Sequence, residues 1–166
     1  MVDRPISEEL MPALYTNAGM IVLNWTLVES SFDHWTAIAF HSKGGSELEA
    51  ELPRMFGRKM TFLSKAFKRL PGLAPFASEA LVCVGRANKL SELRHYVAHG
   101  MATHFDADND ETFTFQKTDI TDDKQWHYTG TLRVKGSDLA GASVELTKLA
   151  QQTQALTLRL LETLEP

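Results

Sequence analysis

Met11, Leu14, Ala18, Ile21, Trp25, Val28, Phe32, Trp35 and Ala39 follow one another at alternating intervals of three and four residues. Residues so spaced lie along one stripe of an α-helix, so this segment predicts one long helix with a single buried face. Ser7 is the expected cap, with Glu8 and Glu9 complementing the dipole of the first turn. His41-Ser42-Lys43-Gly44-Gly45 stops the helix. Trp25 and Trp35 fall on the stripe and read as core, not as a stacking platform.

A stripe of that length needs other helices to cover it, and the rest of the chain offers three. The second helix is expected from Ser46, with Glu47 and Glu49 in its first turn, to Leu70; Pro53 requires either a later start or a kink. Met55, Phe56, Met60, Phe62, Leu63, Phe67 and Leu70 are its apolar content, and Pro71-Gly72 ends it. The third runs from about Pro75 to His99, with Leu81, Val84, Ala87, Leu90, Leu93 and Val97 at helical spacing. Gly100 follows as the residue where positive φ is usually required.

Beyond Met101 the period changes. Thr112-Phe113-Thr114-Phe115 alternates with period two, and Tyr128 to Val134 does so more loosely. Turn-rich stretches, Asp106 to Asp110 and Thr121 to Lys124, separate these runs. A last helix is expected from near Asp138 or Ser143 to Leu164. The reading is a single mainly α domain over residues 1–166: a four-helix, up-and-down type bundle. A small antiparallel β hairpin or meander, at about 101–135, is inserted before the last helix.

Composition narrows the class. The hydrophobic fraction of 43% and charged fraction of 23% are those of a globular chain. Cys83 is the only cysteine, so no internal disulfide forms, and its apolar neighbours mark it as a small buried residue. The first nine residues have no apolar run and carry acids where a signal peptide has cations. No apolar run approaches the roughly 18 residues that span a bilayer. A cytoplasmic protein without membrane contact is expected.

The formal net charge of −4 is unevenly spread. Residues 1–42 hold one base and five acids, residues 43–94 ten bases and five acids, and residues 95–166 six bases and eleven acids. Arg54, Arg58, Lys59, Lys65, Lys68 and Arg69 make the middle third cationic, with no acid between Pro53 and Ser78. An anionic partner reaching one face suits this pattern; a solvated helix face produces it equally.

One segment carries chemistry: Arg94-His95-Tyr96-Val97-Ala98-His99-Gly100. His95 and His99, four residues apart, share a helix face. Arg94 and His99 are five apart, about 140° of rotation, so one regular helix does not aim both at one phosphate. Two copies packed across a two-fold axis do, because Arg94 from either copy approaches a shared cleft. An imidazole takes or gives a proton near neutrality, and an arginine donates a bidentate pair of hydrogen bonds to phosphate oxygens. Cations and histidines are also favoured in the last turn of any helix, so Arg94 and His99 are equally readable as caps beside Gly100.

The segment resembles the ribonuclease motif of HEPN domains (higher eukaryotes and prokaryotes nucleotide-binding). In that family an Arg is followed by Asn, His or Asp and, after four to six intervening residues in all, by a His at the end of a helix late in a helical bundle. The resemblance rests on these seven residues and the architecture. It implies a homodimer whose paired motifs form a metal-independent endoribonuclease site, a toxin or defence effector. Arg94, His95 and His99 would be catalytic, with products carrying a 2′,3′-cyclic phosphate and a 5′-OH. No cofactor or metal is expected. The implied partners are RNA or a nucleotide, a second copy of the chain, and an antitoxin protein. HEPN toxins silenced by AMP transfer carry a Tyr two residues after the motif His; Met101 stands there, so that route is not expected, and Tyr96 does not substitute.

Glu29, beside the long stripe, is the supporting acid, facing Arg94 or a histidine or else lying on a partly exposed flank. Arg54, Arg58 and Lys59 are the candidate RNA-binding residues. Asp106, Asp108 and Asp110 imitate the start of a calcium loop, but Lys117 stands where its bidentate Glu belongs. His34, His41, His104 and His127 show no ligand spacing and read as surface residues. The alternative function is a non-catalytic nucleotide-binding or protein-interaction domain on the same helices.

Overall fold

The long apolar stripe folds as one helix, α1 (Met11–Ser42). Leu14, Ile21, Trp25, Val28, Phe32, Trp35 and Ala39 are buried along it. Its start differs from the expected cap. The N–H groups of Leu10 and Met11 donate to the Ser7 carbonyl oxygen at 3.1 and 3.3 Å, making a turn before the helix. Glu8 and Glu9 therefore precede the first helical turn, and Pro12 occupies it, where a missing N–H costs nothing.

The computed structural model describes residues 6–106, 111–120 and 126–164, except the side chains of residues 104–106, 119, 120 and 126–129. The chain is mainly helical. After α1 come α2 (Phe56–Arg69), α3 (Ala77–His99) and α4 (Gly136–Glu162). Between α3 and α4 lie three strands, β1 (Met101–Asp106), β2 (Thr112–Ile120) and β3 (Trp126–Lys135), in an antiparallel sheet of order β1-β2-β3. The mainly α chain with a small antiparallel insertion before its last helix is thus observed.

Boundaries moved where backbone chemistry decided. Pro53 delays α2 to Phe56, with a 3-10 turn at Gly45–Glu47 ahead of it, rather than kinking a helix from Ser46. A second 3-10 stretch, Pro71–Phe76, delays α3 to Ala77. The last helix starts earlier than expected, at Gly136, whose N–H donates to the Glu111 carbonyl oxygen at 2.8 Å. Strand β1 begins directly after Gly100, so of the hairpin and the meander the three-stranded meander is the one observed. Its registers are irregular between Ala102 and His104, and that of β2 with β3 between Lys117 and Thr118.

Packing divides the chain into two compact units. One takes the chain up to Asn24 with Leu90–Thr147, the other Trp25–Lys89 with the chain from Lys148.

In the second unit four helical segments share one core. Trp35 lies edge-on to Phe67 of α2, ring centroids 5.8 Å apart, and its Nε1 donates to Thr157 Oγ1 of α4 at 2.8 Å. Trp25 meets Phe56 at 5.2 Å. Arg159 of α4 pairs with Glu79 of α3 at 2.7 Å. Cys83 is buried here, and that burial pushes its thiol up to about 11. A thiol both buried and protonated is inert. Ellman's reagent at pH 8 is expected to leave Cys83 unmodified in the native protein and to titrate one thiol after unfolding; reaction in the native state would contradict its burial.

In the first unit Asn24 Nδ2 of α1 donates to Thr147 Oγ1 of α4 at 3.1 Å, and Ser143 Oγ donates to Asn17 Oδ1 at 3.0 Å. Phe113 and Phe115, two apart on β2, are both buried. Period two places them on one face of the sheet, and Lys117 with them.

Candidate functional site

The motif forms the C-terminal end of α3, within the first unit. The helix stays regular through His99, and the Gly100 N–H donates to the Tyr96 carbonyl oxygen at 2.7 Å. With no distortion in the last turn, His95 and His99 share a face while Arg94 lies well round the cylinder. The two imidazoles are exposed, with ring centroids 5.0 Å apart at 62°. Arg94 is half-buried.

Gly100 does not have the positive φ expected of it; among the described glycines only Gly44 does, at 84°. Its lack of a side chain serves close approach instead. A Cβ there would sit 2.5 Å from the Tyr96 carbonyl oxygen and 3.3 Å from both the Gln116 carbonyl oxygen and Phe115 Cβ. Strand β2 therefore passes directly against the end of α3.

That approach adds two groups that sequence reasoning passed over. Lys117 and Gly130 are cross-strand partners on β2 and β3, so they share a sheet face. The Tyr96 ring packs against both. A Cβ on Gly130 would run into the Tyr96 hydroxyl oxygen, and Lys117 Nζ sits 4.3 Å from the ring centroid on its π-face. Tyr96 and Lys117 are half-buried, as befits a seated ring with an amphipathic stem across it. Two signals were available in the sequence. Gly130 interrupts a strand, which marks close approach of another group, and Lys117 continues the Phe113, Phe115 alternation onto the packed face.

Lys117 reaches the motif electrostatically. The His95 pKa is lowered from the ordinary 6.5, first by partial desolvation and then by the positive charges of Lys117, His99 and Arg94. The neutral imidazole is therefore favoured, able to accept a proton, beside charges that among the described residues are positive. Such surroundings attract phosphate. Among the described residues no three His, Cys, Asp or Glu side chains gather as a metal-ligand set.

The remaining candidates belong to the second unit. Glu29 is half-buried on α1. Lys59 is drawn into an ion pair with Asp33, its side chain only 12% exposed. Arg54 and Arg58 are exposed and line a pocket of about 450 Å³ with Phe40, Glu51 and Met55. His34 and His41 are surface residues. The side chains of His104 and His127, and Asp108 and Asp110 altogether, lie outside the described residues. Met101 is 59% exposed at the start of β1. Among the described residues no helix is long and apolar enough to cross a membrane.

No family model, no curated protein and no solved structure matches this chain.

Proposed function

We propose that the chain is a HEPN-type, metal-independent endoribonuclease that works as a homodimer in the cytoplasm, as a toxin or defence effector restrained by a protein partner. The observation that carries this reading is the pair of exposed imidazoles 5.0 Å apart at the end of α3; among the described residues, the positive charges of Lys117, His99 and Arg94 act on His95.

In the proposed reaction the neutral His95 imidazole takes the ribose 2′-OH proton. The 2′-oxygen then bonds to the adjacent phosphorus, and the P–O5′ bond breaks. His99 returns a proton to the departing 5′-oxygen, leaving a 2′,3′-cyclic phosphate and a 5′-OH. Arg94 donates to the phosphate oxygens as charge builds on them, and Lys117 adds a second cation to the field.

Burial along α3 supports the second copy. Ala80, Cys83, Val84 and Ala87 are buried, but Leu90, Leu93 and Val97 continue the same stripe only half-buried. An apolar stripe left partly open beside a polar motif suits an interface.

The deciding experiment is incubation of the purified chain with single-stranded RNA in EDTA. Cleavage to cyclic-phosphate ends is expected, and none when the RNA is replaced by DNA, which has no 2′-OH. Intact RNA would favour the rival reading, a binding domain without turnover, for which the exposed Arg54 and Arg58 beside their pocket are the supporting feature.

The role of His95 has its own check in the pH profile of kcat/KM. Activity requires His95 unprotonated and is lost as pH falls through its pKa, so the acid limb is expected below pH 6.5. Lys117→Met removes one of the charges holding that pKa down, so the limb is expected to move up toward 6.5. A limb that stays in place would show that the Lys117 charge does not act on the titrating group.

A further inference from the structure

On the second unit, one face of α2 opens into a cleft of about 470 Å³ with a lining unlike that of the Arg54 pocket. Thr61, Ser64, Lys65, Lys68 and Arg69 line it from α2, and Asn88 from α3. The lining holds three cations, two hydroxyls and an amide, with neither a carboxylate nor an aromatic ring. Lys65 is shared with Glu49 at 3.0 Å. Lys68 and Arg69 are exposed and make no ion pair among the described residues.

Cations in the last turn of a helix complement its dipole, which accounts for Lys68 and Arg69 singly. It does not account for a third cation, two hydroxyls and a side-chain amide from another helix around one open cleft. Thr61 already donates its hydroxyl proton to the Gly57 carbonyl oxygen at 3.0 Å, so Ser64 is the hydroxyl donor of the cleft; hydroxyl, amide and cationic donors together are what phosphate oxygens accept from. The absence of a ring removes the stacking that reads bases, so a ligand held here is held by its backbone. The cleft follows α2 from Thr61 to Arg69, about 12 Å at 1.5 Å per residue, longer than one phosphate needs.

We propose that this cleft binds the phosphate backbone of a single-stranded nucleic acid without regard to sequence. The choice of nucleic acid over another polyanion rests on the ribonuclease reading; the cleft's preference for phosphate does not.

The test is fluorescence anisotropy of a labelled single-stranded DNA oligonucleotide, which cannot be cut by 2′-OH attack, titrated with the full chain over a range of salt. The double variant Lys68→Gln, Arg69→Gln is expected to weaken binding about tenfold at 0.1 M salt. It should also flatten the slope of log K against log salt by about 1.4, roughly 0.7 for each phosphate no longer neutralised. Ser64→Asp, which places an acid in the cleft, should weaken binding in the same direction. Lys148→Gln, an exposed cation of α4 outside the cleft, should leave the slope unchanged. Circular dichroism checks that each variant is folded.

Affinity and slope unchanged in both cleft variants would overturn the proposal, as would failure of the wild-type chain to bind the strand. Competition by polyglutamate as effective as that by unlabelled strand would overturn it in favour of an acidic protein partner. Absence of RNA cleavage counts against the ribonuclease reading alone, because strand binding is read on DNA and through residues that take no part in the proposed reaction.

Discussion

Alanine at either Arg94 or His99 is expected to cut RNA cleavage by about 10²- to 10⁴-fold, the range for losing a general acid–base group or an oxyanion donor. Mixing the two inactive variants is expected to return about a quarter of the wild-type rate, because in a two-fold dimer each site takes groups from both copies. The recovery follows from helix geometry. Arg94 lies about 140° round a regular α3 from His99, so in the proposed dimer each site would take one copy's arginine and the other's histidine. A mixed dimer then holds one complete site and one empty of both groups. Random pairing makes half the dimers mixed. The readout is the initial rate in EDTA after the variants are denatured and refolded together, with each refolded alone as the control. No recovery would mean that both groups act within one chain, against the geometry of the last turn. His99 is exposed and Arg94 half-buried, so neither truncation opens the core.

The largest expected effect on stability comes from Trp35→Ala, at about 3–5 kcal/mol of unfolding free energy. Trp35 is 1% exposed, meets Phe32 and Phe67 edge-on at 5.0 and 5.8 Å, and donates its indole N–H to Thr157 Oγ1. The truncation leaves a cavity among α1, α2 and α4 of the second unit and removes a buried donor. Trp35→Phe separates the two terms. It keeps most of the ring volume and loses the hydrogen bond, worth about 1 kcal/mol. Thr157 still donates its own hydroxyl proton to the Thr153 carbonyl oxygen at 2.8 Å, so no buried donor is stranded. Urea unfolding followed by circular dichroism measures both. A Trp35→Ala cost under about 1 kcal/mol would show that the indole is not a core element of that unit.

Helices were legible in the sequence where an unbroken period of three and four ran long enough, as from Met11 to Ala39. Their ends were less legible because backbone groups decide them. The Ser7 and Glu111 carbonyls set two boundaries that side-chain patterns placed elsewhere, while Pro53 left a later start and a kink both open and the later start is what is seen. Strand β1, with Met101-Ala102-Thr103-His104, lacks alternation of polarity because its register shifts within it, so it left no periodic trace.

Within the site, the grouping of His95 with His99 and the divergence of Arg94 followed from helix angles alone. The contribution of Lys117 did not, since it lies 22 positions beyond His95 and only the docking of the sheet brings it near. Conversely, the six cations of the second helix read as one patch. In the structure they sort into an ion pair at Lys59, a pocket at Arg54 and Arg58, and a cleft at Lys65, Lys68 and Arg69.

Only Gly100 separates the last residue of α3 from the first of β1, and that glycine is wedged against the backbone of β2. The junction has no slack. A twist imposed on the sheet is passed to the last helical turn as torque, not absorbed by a loop. A protein that grips the strands thus holds a handle on the imidazoles without touching them. For the same reason a residue inserted between His99 and Met101 is a change of register for the whole insertion.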